Sequence, residues 1–170
     1  MKSKTAQQTS TISTEIVLPN DTNTLGNLMG GRLLHLMDIT AAISAQRHCR
    51  CVVVTASVNN VSFNHPIKLA EIVTLEAKVS RAFTSSMEVF IDVWVENHIT
   101  GMRTKCNEAI YTFVAVDNAG KAVPVPMLIP ETEEEQKRYA GALRRRQLSL
   151  ILAGKMKPEQ ATELKALFEK

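Results

Sequence analysis

From Asn27 to Arg47 the apolar residues Leu28, Met29, Leu33, Leu34, Leu36, Met37, Ile39, Ala41, Ala42, Ile43 and Ala45 point in almost every direction around a helical axis. A helix that is apolar nearly all round has to be covered on most sides. Its stretch from Gly31 to Arg47 would be about 25 Å long at 1.5 Å per residue, roughly the length of strands able to wrap it.

The rest of the chain supplies such a cover. Cys51 to Val61 is apolar and β-branched. Val73, Leu75, Ala77 and Val79 alternate with Thr74, Glu76, Lys78 and Ser80. Met87, Val89, Ile91, Val93 and Val95 alternate with Glu88, Phe90, Asp92, Trp94 and Glu96, and a last series runs from Glu108 to Asp117. Period-two segments of this kind predict an antiparallel sheet with one wetter face. Turn signals separate them at Asn64-His65-Pro66, Thr84-Ser85-Ser86 and Asn97-His98-Ile99-Thr100-Gly101, and another follows at Asp117-Asn118-Ala119-Gly120. A short strand from Ile12 to Leu18 precedes the helix and ends at the turn Pro19-Asn20-Asp21. The layout is α+β: a long buried helix wrapped by a curved antiparallel sheet.

Residues 1–11 are rich in Ser, Thr, Gln and Lys and read as a disordered lead without the apolar stretch of a secretory signal. Residues 12–130 form the expected domain, closed by Val123-Pro124-Val125-Pro126 and Pro130. Residues 131–170 read as a helical extension, with one helix near Glu131–Leu152 and another near Pro158–Phe168, joined at Gly154. No apolar run approaches the roughly 20 residues of a bilayer span, so no membrane partner is expected. Residues 1–130 carry 11 basic and 10 acidic groups, and residues 131–170 carry 9 and 7. Such balance leaves no electrostatic footprint for nucleic acid. The run Arg144-Arg145-Arg146 beside Glu133-Glu134-Glu135 reads as a solvated helix face or subunit contact. Three cysteines, Cys49, Cys51 and Cys106, suit free thiols in a reducing cytoplasm. His48-Cys49-Arg50-Cys51 is too crowded for a tetrahedral metal site, and neither metal nor other cofactor is expected.

Two features carry chemistry. Asp38, between Met37 and Ile39, is expected where water is scarce; a carboxylate there is costly unless paired or used as a general base or nucleophile. The alternative is local pairing with Arg32 or His35 on an outer face. Gly30-Gly31 early in a helix costs about 1 kcal/mol per residue relative to Ala. The glycines serve either close packing or exposed N–H donors for a developing oxyanion at the helix N-terminus, with Gly31 the favoured donor.

The ordered set Asp21-Thr22-Asn23, Gly26, Gly30-Gly31, Asp38, Val53-Val54-Thr55-Ala56-Ser57-Val58, Phe63, Pro66-Ile67, Trp94-Val95, Arg103, Lys105 and Glu108-Ala109 resembles the cytosolic acyl-CoA hydrolase family of hotdog-fold thioesterases. The resemblance spans about residues 12–127, and Asn59 departs from it where the family carries an acidic residue. It implies hydrolysis of fatty acyl-CoA, with coenzyme A as part of the substrate. It makes Asp38 the base or nucleophile, with Asn23 working with the Asp38 of the opposite subunit, and Thr55 supporting the attacking water. Without it, Asn23 is a plain turn residue. The phosphates of coenzyme A call for cations, and Arg81 with Ser85 and Ser86, and Arg103 with Lys105, are the candidates near strand ends. A homodimer, assembled further as a trimer of dimers, is implied. The alternative from another class is a non-catalytic acyl-CoA-binding sensor, which would need no carboxylate at position 38.

Overall fold

The computed structural model describes residues 1–59, 61–63 and 65–168. The chain falls into two compact units, Met1–Ile129 and Pro130–Lys170. In the first, helix α1 (Gly30–Cys49) lies against a five-stranded antiparallel sheet. The strands are β2 (Thr11–Ile16), β3 (Val52–Asn59), β4 (Ile72–Ala82), β5 (Ser86–Glu96) and β6 (Arg103–Val116). Their order is β2-β4-β5-β6-β3, which makes β2 and β3 the two edges.

Alternation sets the faces. Val73, Leu75, Ala77 and Val79 of β4, Met87, Val89, Ile91 and Val93 of β5, and Ala109, Tyr111, Phe113 and Ala115 of β6 are all buried. Leu33, Leu36, Met37, Ala41 and Ala45 of α1 are buried with them, and so are Thr40, Ser44, His48 and Cys49. Each such large side chain withdrawn from water contributes about 1.5–3 kcal/mol before entropy is counted. The hairpin at residues 97–102 closes through Asn97, whose Oδ1 accepts from the N–H groups of Ile99 and Thr100 at 3.0 Å, with Gly101 at φ +67°.

Several expectations change. Residues 1–11 are ordered where a disordered lead was expected. Lys4–Thr5 forms β1 beside β7 (Leu128–Ile129), and Ala6 and Thr9 are buried. Thr9 Oγ1 accepts from the Val79 N–H at 3.0 Å, which fixes a polar residue inside the fold. The sheet curls over α1 as expected, while Ile39 and Ile43 remain 45% and 39% exposed. β6 begins at Arg103, ahead of the expected Glu108, because a bulge near Cys106 breaks the alternation. Of the expected turn at residues 64–66, Asn64 lies outside the described residues.

In the second unit α2 spans Glu133–Leu152, and its start is capped by Thr132 Oγ1, which accepts from the Glu135 N–H at 3.2 Å. The expected second helix is shorter than the sequence suggests: a 3₁₀ turn at Pro158–Gln160, then α3 at Thr162–Lys165. Among the described residues no helix is long and apolar enough to cross a membrane.

Candidate active site

Asp38 sits two turns into α1, on the side facing edge strand β3. Thr55 Oγ1 donates to Asp38 Oδ1 at 2.8 Å. Neither of the local partners weighed for Asp38 takes it: the Arg32 guanidinium is within 2.9 Å of Asp21 and 3.5 Å of Glu15 instead. A bulge between Thr55 and Ser57 follows at once, so Thr55 is the last residue before the strand bends away. Placing the threonine on the helix side, opposite Phe113 of β6, is what lets a strand hydroxyl reach a helix carboxylate.

The expectation of a water-poor carboxylate is corrected for the single chain. Asp38 is half-buried and Thr55 exposed, because β3 is an edge strand with no further strand beside it among the described residues. That open side is strongly apolar. Val52, Val54 and Val58 are between 41% and 53% exposed, and Ile39 and Ile43 of α1 stand uncovered as well.

The helix start separates the two glycines. A Cβ on Gly30 would meet the Phe63 ring at 3.3 Å, so Gly30 is required for packing. A Cβ on Gly31 would meet nothing within 4 Å. Met29, at the N-cap position, makes no side-chain cap bond, and the first helical backbone bond runs from the Leu33 N–H to the Met29 carbonyl. The Gly30, Gly31 and Arg32 N–H groups therefore have no partner among the described residues, a ready site for negative charge. Phe63 is the residue whose part the sequence did not indicate: a lone aromatic in a loop carries no periodicity.

Asn23 lies in the loop ahead of α1, exposed, with Oδ1 accepting from the Leu25 and Asn27 N–H groups at 2.9 and 3.2 Å. Its Nδ2 has no partner among the described residues. Gly31 and Asp38 are seven residues apart on one helix, about 10 Å of rise.

Of the coenzyme candidates, Arg81, Ser85 and Ser86 sit at the β4–β5 hairpin. Thr55, Phe113, Met87 and Ala82 form one cross-strand row, which places that hairpin about 14 Å from Thr55 at 4.8 Å per strand. The Arg81 guanidinium carbon is 5.7 Å from the Phe83 ring centroid, and Ser86 is buried. Arg103 and Lys105 lie elsewhere. They pair with Glu96 and Trp94, roughly 24 Å or more further along β5, on the sheet face turned away from α1. Arg103 bonds Glu76 at 2.6 Å and stacks 4.8 Å over Trp94, while Lys105 reaches Asp92 at 2.7 Å and Glu108 at 2.9 Å. The fold brings Asp38 and Thr55 together and does not bring these two cations to them. Among the described residues no group of three or more His, Cys, Asp or Glu is placed to hold a metal ion.

Residues 25–102 match the family model described as the thioesterase superfamily. The acyl-CoA thioester hydrolase YkhA of Bacillus subtilis, uncharacterized, is 46% identical over 129 residues, covering 76% of this chain and 75% of its own. The chain belongs to the acyl-CoA hydrolase family of hotdog-fold thioesterases. Two solved members bear on the site. A hexameric acyl-CoA thioesterase superposes with a TM-score of 0.87 at 39% identity, covering 90% of this chain and 98% of its own. The Staphylococcus aureus acyl-CoA hydrolase, solved with butyryl coenzyme A, coenzyme A and coenzyme A disulfide, gives a TM-score of 0.81 at 33% identity over 95% and 98%. The same enzyme has been solved with an aspartate, a threonine and an asparagine each replaced by alanine.

Proposed function

We propose that this thioesterase hydrolyses fatty acyl-CoA to free fatty acid and coenzyme A at a site shared between two subunits. The observation that carries it is the bond from Thr55 to Asp38. Thr55 occupies Oδ1 as a donor, which leaves Oδ2 to take a proton from water or to attack the carbonyl itself. In the first route, water loses its proton to Asp38 as its oxygen bonds to the thioester carbon. The oxyanion is met by the Gly31 N–H, the C–S bond breaks, and the sulfur leaves as thiolate and is protonated. In the second, Asp38 attacks the thioester carbon, the C–S bond breaks and the thiolate leaves; water then opens the resulting anhydride, which returns the Asp38 carboxylate, frees the fatty acid and supplies the proton that the thiolate takes up.

Helix geometry supports donors from different chains. Gly31 and Asp38 stand about 10 Å of rise apart on one helix, which favours a site in which Gly31 and Asn23 of one subunit serve Asp38 and Thr55 of the next. The free Nδ2 of Asn23 suits a carbonyl or a water. In the alanine-substituted Staphylococcus aureus enzyme the asparagine, aspartate and threonine stand 15 and 17 residues apart. Asn23, Asp38 and Thr55 have the same separations, which supports all three as site residues. The exposed valines of β3 and the Ile39–Ile43 stripe are the surface a second copy would cover, removing water from Asp38. A trimer of such dimers accords with the hexameric relative, and a cytoplasmic protein with three free thiols accords with the family.

For the coenzyme, Arg81, Ser85 and Ser86 lie next to Ala82 and Met87, at the far end of the strand row of Thr55, and are proposed for its phosphates. Arg103 and Lys105 would serve only if a neighbouring subunit presents them. The testing experiment is thiol release from acyl-CoAs running from acetyl to palmitoyl. Turnover with a chain-length optimum supports the proposal; tight binding without release would favour the sensor.

A further inference from the structure

The buried face of β6 contains one polar group that the reaction above does not use. Tyr111 is 1% exposed, and its hydroxyl donates to the Leu34 carbonyl at 3.1 Å. A buried phenol needs a partner, and satisfying it would be reason enough for such a bond. The choice of partner says more. In an α-helix the Leu34 carbonyl is the acceptor for the N–H four residues on, which is that of Asp38. A carbonyl oxygen has two lone pairs and accepts both donors.

From this geometry we infer that Tyr111 is a positioning residue for Asp38, clamping through the Leu34 carbonyl the helical turn that presents the carboxylate to Thr55. The inference rests on the role proposed for Asp38. Two contacts, both founded on β6, locate that carboxylate. Thr55 pairs with Phe113 and reaches the side chain; Tyr111, two residues earlier on the same strand face, reaches the backbone of the same turn. The Tyr111 and Phe113 rings stack with centroids 6.2 Å apart and planes 14° apart, so the two supports are coupled. Burial, and then the negative charge of Asp38, push the phenol up to about 12. It therefore stays a donor throughout the neutral range, within electrostatic reach of Asp38.

Tyr111→Phe removes only the hydroxyl. The ring stack is kept, and the Leu34 carbonyl keeps its helical donor, so no buried group is orphaned and the fold is retained. The test is a double-mutant cycle, with thiol release by wild type, Tyr111→Phe, Thr55→Val and the pair, and Asp38→Asn measured alongside. Positioning predicts a fall in kcat of about fivefold to twentyfold with KM within about twofold. It also predicts that the hydroxyl's loss costs less in the Thr55→Val background, since the two contacts serve one carboxylate. A second readout is amide hydrogen exchange over Leu34–Asp38, which should quicken in Tyr111→Phe and not in Thr55→Val. An unchanged kcat, equal costs in both backgrounds, or unaltered exchange overturns the inference. If Asp38→Asn retains full activity, the assigned role of Asp38 fails and this inference with it; if Asp38→Asn is dead while Tyr111→Phe is normal, only this inference fails.

Discussion

Thr55 and Asp38 are joined by a 2.8 Å hydrogen bond that ties the edge strand of the sheet to its central helix. Because the hydroxyl donates to Oδ1, Oδ2 is the oxygen the proposed reaction uses. Hydrogen bonds to charged groups contribute about 1.5–3 kcal/mol. Thr55→Val should therefore lower kcat by roughly tenfold to a hundredfold at about 1.4 kcal/mol per tenfold. Thr55→Ser, which keeps a donor, should recover most of it. Steady-state kinetics of the pair decide this.

The two glycines at the start of α1 should respond oppositely. Gly30→Ala forces a methyl to 3.3 Å from the Phe63 ring and should lower the melting temperature. Gly31→Ala has open space and should be neutral or stabilising by up to about 1 kcal/mol. Gly31→Pro removes an N–H in the first helical turn, where proline is tolerated. It should cost about a hundredfold in kcat, as for loss of an oxyanion donor, while the protein stays folded. Melting curves beside kinetics separate these effects.

A shared site makes complementation possible. Asp38→Asn and Asn23→Ala should each be nearly inactive, yet co-expressed chains carrying one change each should regain activity, because a mixed dimer holds one intact site. Ile39→Glu should break the assembly into smaller species by light scattering and lose activity with it. Full activity in a monomer would exclude the shared arrangement.

Stability should fall in mild acid through His48. This side chain is fully buried, with Nε2 donating to the Pro126 carbonyl at 2.8 Å and Nδ1 without a partner among the described residues. Burial holds its pKa below the ordinary 6.5, outweighing the raising effect of the Pro126 bond. The unfolded chain thus binds a proton near pH 6.5 that the folded chain refuses. The contribution is complete above that pH and declines as pH drops through it toward the lower folded value. Denaturant titrations at several pH values should show this slope, and His48→Gln should flatten it.

How far the sequence carried the fold depends on which residues repeat. Val73 to Val79 and Met87 to Val95 announce their faces by period two, and the structure keeps them. α1 looked apolar on every side, so its composition did not distinguish Met37 and Ala41, under the sheet, from Ile39 and Ile43, left open. Strand order, the bulge after Thr55 and the carbonyl chosen by Tyr111 all depend on pairings between distant segments. No local pattern encodes them. Asp38 and Gly31 stood out as candidates because a carboxylate in an apolar helix and a double glycine at its start both break a local rule; the ring behind Gly30 did not.

The most direct test of the account is thiol release by wild type and Asp38→Asn across an acyl-CoA series, with oligomeric state and melting curve measured on the same samples. The account predicts a clear wild-type activity, reduced at least about a hundredfold by the substitution with assembly and melting unchanged. Hydrolysis that survives Asp38→Asn would contradict it.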